Sequence, residues 1–367
     1  MRKLLIVLSV LGSLLIGPGP GWASDAAGLA AGLKDADPAR RAEAAKGLVM
    51  LGPAAAPVVD DLIMALSDGE DAVRAFSAKA LGAVGGEAAK AVDALVALLD
   101  DGNMFARGYA AQALGRIGAR PGTVVPALVK ALGDWQGMVR ALAAQGLGYF
   151  GEDVLDYPGA VDTLADALED RDAEVRQEAA TAMGDVGPEL AAAYPGAVEA
   201  LRNMLHDESA PELERIRAAY GLCAVSGDPE ASKYLLEGLK RHRDYTLRAA
   251  AAESLGWLGG KAASAVESLA GAVGDEEPMV RAFAAQALGE IALKPEVSVP
   301  VLAGGVHDAE VLVRQVCVQS LARFGKDAEP AREALGLALN DPDARVRELA
   351  ADAIRGLGQY HLQGEKE

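Results

Sequence analysis

The feature that most constrains this chain is that it copies itself. A segment reading Asp-x5-Arg-x-x-Ala-Ala-x-Ala-Leu-Gly-x-x-Gly, usually with Val before the Arg, recurs along nearly the whole sequence. Its arginine falls at Arg41, Arg74, Arg107, Arg140, Arg176, Arg215, Arg248, Arg281, Arg314 and Arg347. Seven of the nine intervals are 33 residues, and the other two, 36 and 39, lie on either side of Arg176. The closing glycine, eleven residues on, is Gly52, Gly85, Gly118, Gly151, Gly187, Gly259, Gly325 and Gly358, with Ser226 and Ala292 in its place in the sixth and eighth copies. A fixed period of this size means one supersecondary unit stacked on itself.

Each period holds two helices. In the third copy Ala106, Ala110, Ala111, Leu114 and Ile117 recur at helical spacing on one side, and Gly118 supplies the stop. The first helix is the stretch before the Asp, such as residues 125–132, with Leu128 and Leu132 in its apolar stripe. Neither helix can bury its face alone, so neighbouring copies must stack into a continuous core. Hydrophobic residues make up 51% of the chain but aromatics only 4%. The core is therefore built from Ala, Leu, Val and Gly, a mixture dominated by good helix formers. The paired Ala110 and Ala111 leave room for close helix approach. The expected fold is all-α: a right-handed α-solenoid of about ten two-helix repeats over residues 24–358, with a polar tail at 359–367.

Ten copies in register resemble the HEAT repeat family in its short bacterial, PBS-lyase-like form. The resemblance covers nearly all of residues 26–358. It implies that the second helices line a concave side. Ankyrin repeats would carry Thr-Pro-Leu-His and tetratricopeptide repeats Trp-x-x-Leu-Gly, and the sequence has neither.

The first residues read as an address. Arg2 and Lys3 precede an apolar run at residues 4–16, which Gly17, Pro18, Gly19, Pro20 and Gly21 end. Small residues at Gly21 and Ala23 place a cut before Ser24, the layout of a signal peptide at residues 1–23. The run of 13 residues falls short of the about 20 needed to cross a bilayer. The expectation is export to the periplasm or the extracellular space, with no membrane insertion after cleavage. The formal charge is −18, which opposes nucleic-acid binding, since that needs a basic footprint.

Little of the sequence favours catalysis or a metal. There are four histidines and two cysteines, with no Cys-x-x-Cys or His-Glu-x-x-His. No catalytic residue, metal ligand or cofactor is expected. Cys223 and Cys317 are read as buried free thiols, and His206 and His307 as solvated turn residues. The recurrent Asp and Arg are read as a structural ladder: the Asp caps the second helix or bonds the Arg of a neighbouring copy.

A partner would be met by positions that vary. Counted from the anchor Arg at about 100° per residue, positions +3, +4, +7 and +10 form the core side, and +1, +2, +5 and +9 the outward side. Outward aromatics are Phe76, Tyr109 and Phe283 at +2, Tyr220 at +5, and Tyr149 and Trp257 at +9. Amides stand among them at +5: Gln112, Gln145, Gln286 and Gln319. Aromatics are enriched at binding hot spots, and amides pair with an extended main chain. The two longer intervals each carry Tyr-Pro-Gly-Ala-Val, making Tyr157, Pro158, Tyr194 and Pro195 a second set of candidates.

The reading is a monomeric, exported, non-catalytic scaffold that holds a protein or peptide on the outward face of its second helices. The alternatives are an enzyme related to the phycobilin lyases, implied by the resemblance alone, or a purely architectural envelope protein. The deoxyhypusine hydroxylases, a related family, hold iron through His-Glu pairs, and this sequence has no His-Glu dipeptide.

Overall fold

A computed structural model describes residues 22–364, so the expected signal peptide lies almost wholly outside the described residues. The described chain is helices and turns, with no strand among the described residues. It forms two compact units, residues 22–203 and 204–364, whose boundary falls within the helix Pro195–His206.

In the first unit the second helices of successive repeats are Pro38–Leu51, Asp71–Val84, Met104–Ile117, Gly137–Gly148 and Ala173–Val186. In the second unit they are Glu212–Ser226, Tyr245–Trp257, Pro278–Ile291, Val311–Arg323 and Ala344–Gly364. A first helix precedes each, giving ten helix pairs among the described residues, an α-solenoid architecture in each unit. Many first helices open with a 3-10 turn, as where Gly52–Val58 leads into Val59–Ala65.

The period of the core matches the period of the sequence. Leu48, Leu81, Leu114 and Leu147, all at +7, are fully buried, and so are Leu222, Leu288 and Leu321 in the second unit. Opposite them, Leu62, Leu95 and Leu128 of the first helices are equally buried. Ala110 and Ala111 are buried as expected. The tightest approach between second helices, however, is at +8: a Cβ on Gly115 would stand 2.5 Å from the Cα of Gly146.

The closing glycine ends its helix because the chain turns there through positive φ, which costs glycine least. Gly52, Gly85, Gly118, Gly151, Gly187, Gly259 and Gly325 all take such values. Ala292 takes the same conformation in the eighth repeat, with φ at 48°. In the sixth repeat Gly227 makes the turn, one residue after Ser226. Gly358 departs from the expected pattern, because the helix Ala344–Gly364 runs through it.

The Asp–Arg ladder is present, and its geometry is specific. Arg107 donates from Nε and Nη2 to both carboxylate oxygens of Asp134 in the next repeat, at 2.7 and 3.0 Å. Its Nη1 donates to the carbonyl of Asp101, six residues back, at 2.9 Å. Arg41, Arg74 and Arg140 form the same two-pronged pair with Asp68, Asp101 and Asp170. In the second unit Arg248, Arg281 and Arg314 do so with Asp275, Asp308 and Asp341. The Asp is not the helix cap itself. It accepts from the N–H two residues on, closing an Asx turn, as Asp101 does from Asn103 at 2.8 Å. Asn103 is then the N-cap, accepting from the N–H groups of Phe105 and Ala106. The sixth repeat breaks the ladder. The residue 27 ahead of Arg215, where most of the other anchor arginines find an aspartate, is His242, and Arg215 donates instead to the carbonyl of Leu205 at 2.9 Å.

Candidate functional site

The ladder and the core leave one row of the second helices open, and the two units fill it differently. In the first unit the row stays accessible. Phe76, Tyr109, Gln112 and Gln145 are half-buried, while Tyr149 is 49% exposed. Lys79 lies over the Tyr109 ring at 4.7 Å. The amides form a short chain: Gln112 donates to Gln145 at 2.7 Å, and Gln145 donates to Glu178 at 3.2 Å. The expected outward orientation therefore holds for these residues. The amide groups spend hydrogen bonds on one another, so the row is held in a set geometry before any ligand arrives.

The second unit overturns part of the expectation. Tyr220, Phe283 and Gln286 are buried, not outward. For Tyr220 and Gln286 the reason is that long side chains pair across the same row. Arg217 donates to Glu253 at 2.7 Å and its guanidinium lies over the Trp257 ring at 4.6 Å. Tyr220 meets Trp257 edge-on at 5.3 Å between centroids. Gln286 donates to Glu290 on its own helix at 2.8 Å, and Arg323 stands 3.9 Å from the same carboxylate. Burial pushes the Glu290 carboxyl above its ordinary value. Trp257 is half-buried, and Gln319 likewise. This row is packed and paired, and it offers far less open surface than the row of the first unit.

Three residues missing from the sequence expectation belong to the open row: Phe105 and Met138 at −2, and Leu142 at +2. Phe105 is 43% exposed and lies 6.3 Å from Tyr109, ring to ring. Position −2 points about 160° from the anchor, within the outward arc. Counting forward from the Arg hid it. Position +1 belongs elsewhere: Ala75, Gly108 and Ala141 are buried against neighbouring helices.

The Tyr-Pro-Gly segments start helices. Pro158 and Pro195 stand first in Pro158–Ala167 and Pro195–His206, where a missing N–H costs nothing. The extra residues before them form the turn Gly151–Asp156 and the short helix Glu189–Ala193. Tyr157 and Tyr194 are half-buried beside these starts, away from the open row. Trp135, 67% exposed, sits on a turn and stacks on Arg107 at 5.6 Å.

Both cysteines are free and buried. Burial raises the thiol of Cys223 to about 11 and that of Cys317 to about 12, so neither is primed as a nucleophile.

A family model described as HEAT repeats matches the chain over residues 26–115, 59–133, 125–219, 198–272, 232–322 and 266–355. No curated protein matches. Among solved structures the chain is similar to the complex of CpcE and CpcF of phycocyanin lyase from Nostoc sp. PCC7120. Identity there is 23% and the TM-score 0.52, over 66% of this chain and 92% of that chain. It is 28% identical to human deoxyhypusine hydroxylase over 73% of this chain and 96% of that one, with a TM-score of 0.33. Kap121p aligns over 95% of this chain and 43% of its own length, at 13% identity and a TM-score of 0.46. The first likeness is one of fold, and the other two superpose too loosely to add to it.

Proposed function

The chain belongs to the HEAT repeat family, and from that premise we propose that it is an exported, non-catalytic, monomeric scaffold. It holds a protein or peptide partner on the open row of its second helices. One observation carries this reading. From Phe76 to Tyr149, aromatic and amide side chains stand in line on successive repeats, half-buried or exposed, with Gln112 bonded to Gln145 and Tyr109 packed beside Phe105. Aromatic groups held in place lose little freedom on binding, and such groups dominate interface energetics. The reactive groups are placed elsewhere, with both thiols in the core. Export rests on the charged, apolar and small-residue order of residues 1–23.

The test compares two baits, residues 24–367 and the same chain with Phe105→Ala, Tyr109→Ala and Tyr149→Ala. Circular dichroism first checks that both are folded. The expected result is a protein from the envelope or secreted fraction of the host retained by the first bait and lost from the second. Equal retention by both would overturn the assignment to this row and direct attention to the Tyr-Pro-Gly starts. Export is tested by N-terminal sequencing of the mature protein from a fractionated host, with Ser24 expected as the first residue. An intact N-terminus in the cytosol would refute it.

A further inference from the structure

The open row of the first unit contains an unbalanced charge. Among the described residues 22–203, the lysines and arginines other than Lys79 and Arg116 each meet a carboxylate or a backbone carbonyl. Lys34 pairs with Asp61, Lys90 with Asp60, Arg120 with Asp93 and Lys130 with Asp100. Arg40, Lys46 and Arg202 pair within their own turns, the anchor arginines 41, 74, 107 and 140 hold the ladder, and Arg171 and Arg176 reach carbonyls. Lys79 rests on the Tyr109 ring, and the Arg116 guanidinium lies beside the Tyr149 hydroxyl. Both are half-buried. Burial, and then the repulsion of Arg116, hold the Lys79 ammonium below the ordinary lysine range. Two like charges close together and partly desolvated, neither of them in an ion pair, are unfavourable until an anion arrives; the carboxylates of Glu178 and Asp185 act on the Tyr149 hydroxyl from the same row. The imbalance is sharper because the chain as a whole carries −18.

We propose that this row takes an acidic, apolar-rich segment of a partner protein. A side-chain carboxylate of the segment sits between Lys79 and Arg116, and its apolar side chains lie on Phe105, Tyr109 and Tyr149. This rests on the scaffold reading above and deepens it. Charge complementarity selects the occupant. The exposed rings of Phe105 and Tyr149 supply apolar area, and the two cations supply the only positive charge left without an ion pair or a carbonyl among the unit's described residues. A guanidinium and an ammonium flanking one carboxylate give charge-assisted hydrogen bonds, which are stronger than neutral ones.

The test is selection of random peptides displayed on filamentous phage against the folded full chain, followed by fluorescence anisotropy on the synthesised winners. The comparison proteins carry Lys79→Gln with Arg116→Gln, or Lys130→Gln as a control at an exposed cation of a first helix. The double change keeps size and polarity, and circular dichroism checks the fold. Peptides pairing Asp or Glu with Leu, Phe or Trp are expected. Their affinity should fall about tenfold or more in the double variant, the size carried by a partly desolvated charge contact, and stay unchanged in the control. Winners without acidic residues, or winners indifferent to the double change, would overturn this proposal and leave the scaffold reading standing. A selection that yields no binder above an unrelated helical protein would overturn both.

Discussion

Arg107 satisfies two different needs with one planar group. Its fork clamps the carboxylate of the next repeat, and its remaining amine holds the turn of its own. Removing the arginine leaves the Asp134 carboxylate partly buried without its partner, the more costly half of such a change. Arg107→Ala is expected to destabilise the protein by about 2–4 kcal/mol, read by urea denaturation, whereas Lys130→Ala at an exposed pair should cost less than about 0.5 kcal/mol. The same groups set an acid limit. The arginine bond holds Asp68, Asp101 and Asp341 below the ordinary carboxylate value. For Asp134, Asp170, Asp275 and Asp308, burial pushes upward, but the arginine and the turn N–H outweigh it. A carboxyl whose folded pKa lies below the unfolded one stabilises the fold above the unfolded value. That stability is lost as protons bind on the way down. Stability should therefore be flat from pH 7 to about 5 and fall steadily below about 4, as followed by denaturation midpoints. A chain as stable at pH 3 as at pH 7 would contradict the ladder.

What the sequence reveals also differs residue by residue. The ladder is legible because its Asp and Arg recur at fixed offsets. The accessible aromatics Tyr109 and Tyr149 are legible from helical phase. Tyr220, Phe283 and Gln286 share that phase and are nonetheless buried, because phase gives a direction and not what stands above it. For Tyr220 the cover is Trp257, one repeat further on. Lys79 and Arg116 were invisible for the opposite reason. A cation is noticed only when the acids around it can be seen to be engaged elsewhere.

At the scale of the element, the second helices are held at a spacing that only a missing side chain allows. Gly115 and Gly146 face one another across adjacent repeats, and the next heavy atom to a new Cβ would be backbone. Alanine is the better helix former by about 1 kcal/mol, so an isolated helix would gain from the change. In this stack the clash decides the sign. Gly115→Ala should destabilise by about 1–3 kcal/mol, and thermal unfolding would show a lower midpoint. Gly28→Ala, with open space around its Cβ position, should raise it slightly or leave it unchanged. The repeat pattern carries both the glycine at the helix end and Gly115 at +8, but not Gly146, which faces it from +6 where the other copies mostly have alanine. Spacing alone does not say which neighbour a helix touches.

For the molecule as a whole, stability in a repeat array is close to a sum of local terms and nearest-neighbour interfaces. Leu81 is fully buried in the second repeat, and Leu81→Ala should cost about 2–5 kcal/mol. The loss should be local. Hydrogen exchange is expected to speed up in Asp71–Val84 and Met104–Ile117 and to stay unchanged in Ala173–Val186. Uniform acceleration across these helices would mean that the unit unfolds as one cooperative body.

The ladder makes the interior repeats interchangeable. Arg74 reaches an aspartate 27 residues ahead, Asp101, and Arg107 does the same with Asp134. Excising residues 75–107, a length of one period, would bring Asp134 to the distance at which Arg74 now finds Asp101. Each fork would still close on a carboxylate, and no charge would be stranded. A copied period would splice in as cleanly. The array can thus change its reach, and with it the number of side chains it presents in line, without inventing a new junction. The degenerate sixth repeat, where Arg215 holds a carbonyl instead, is the place where that freedom stops.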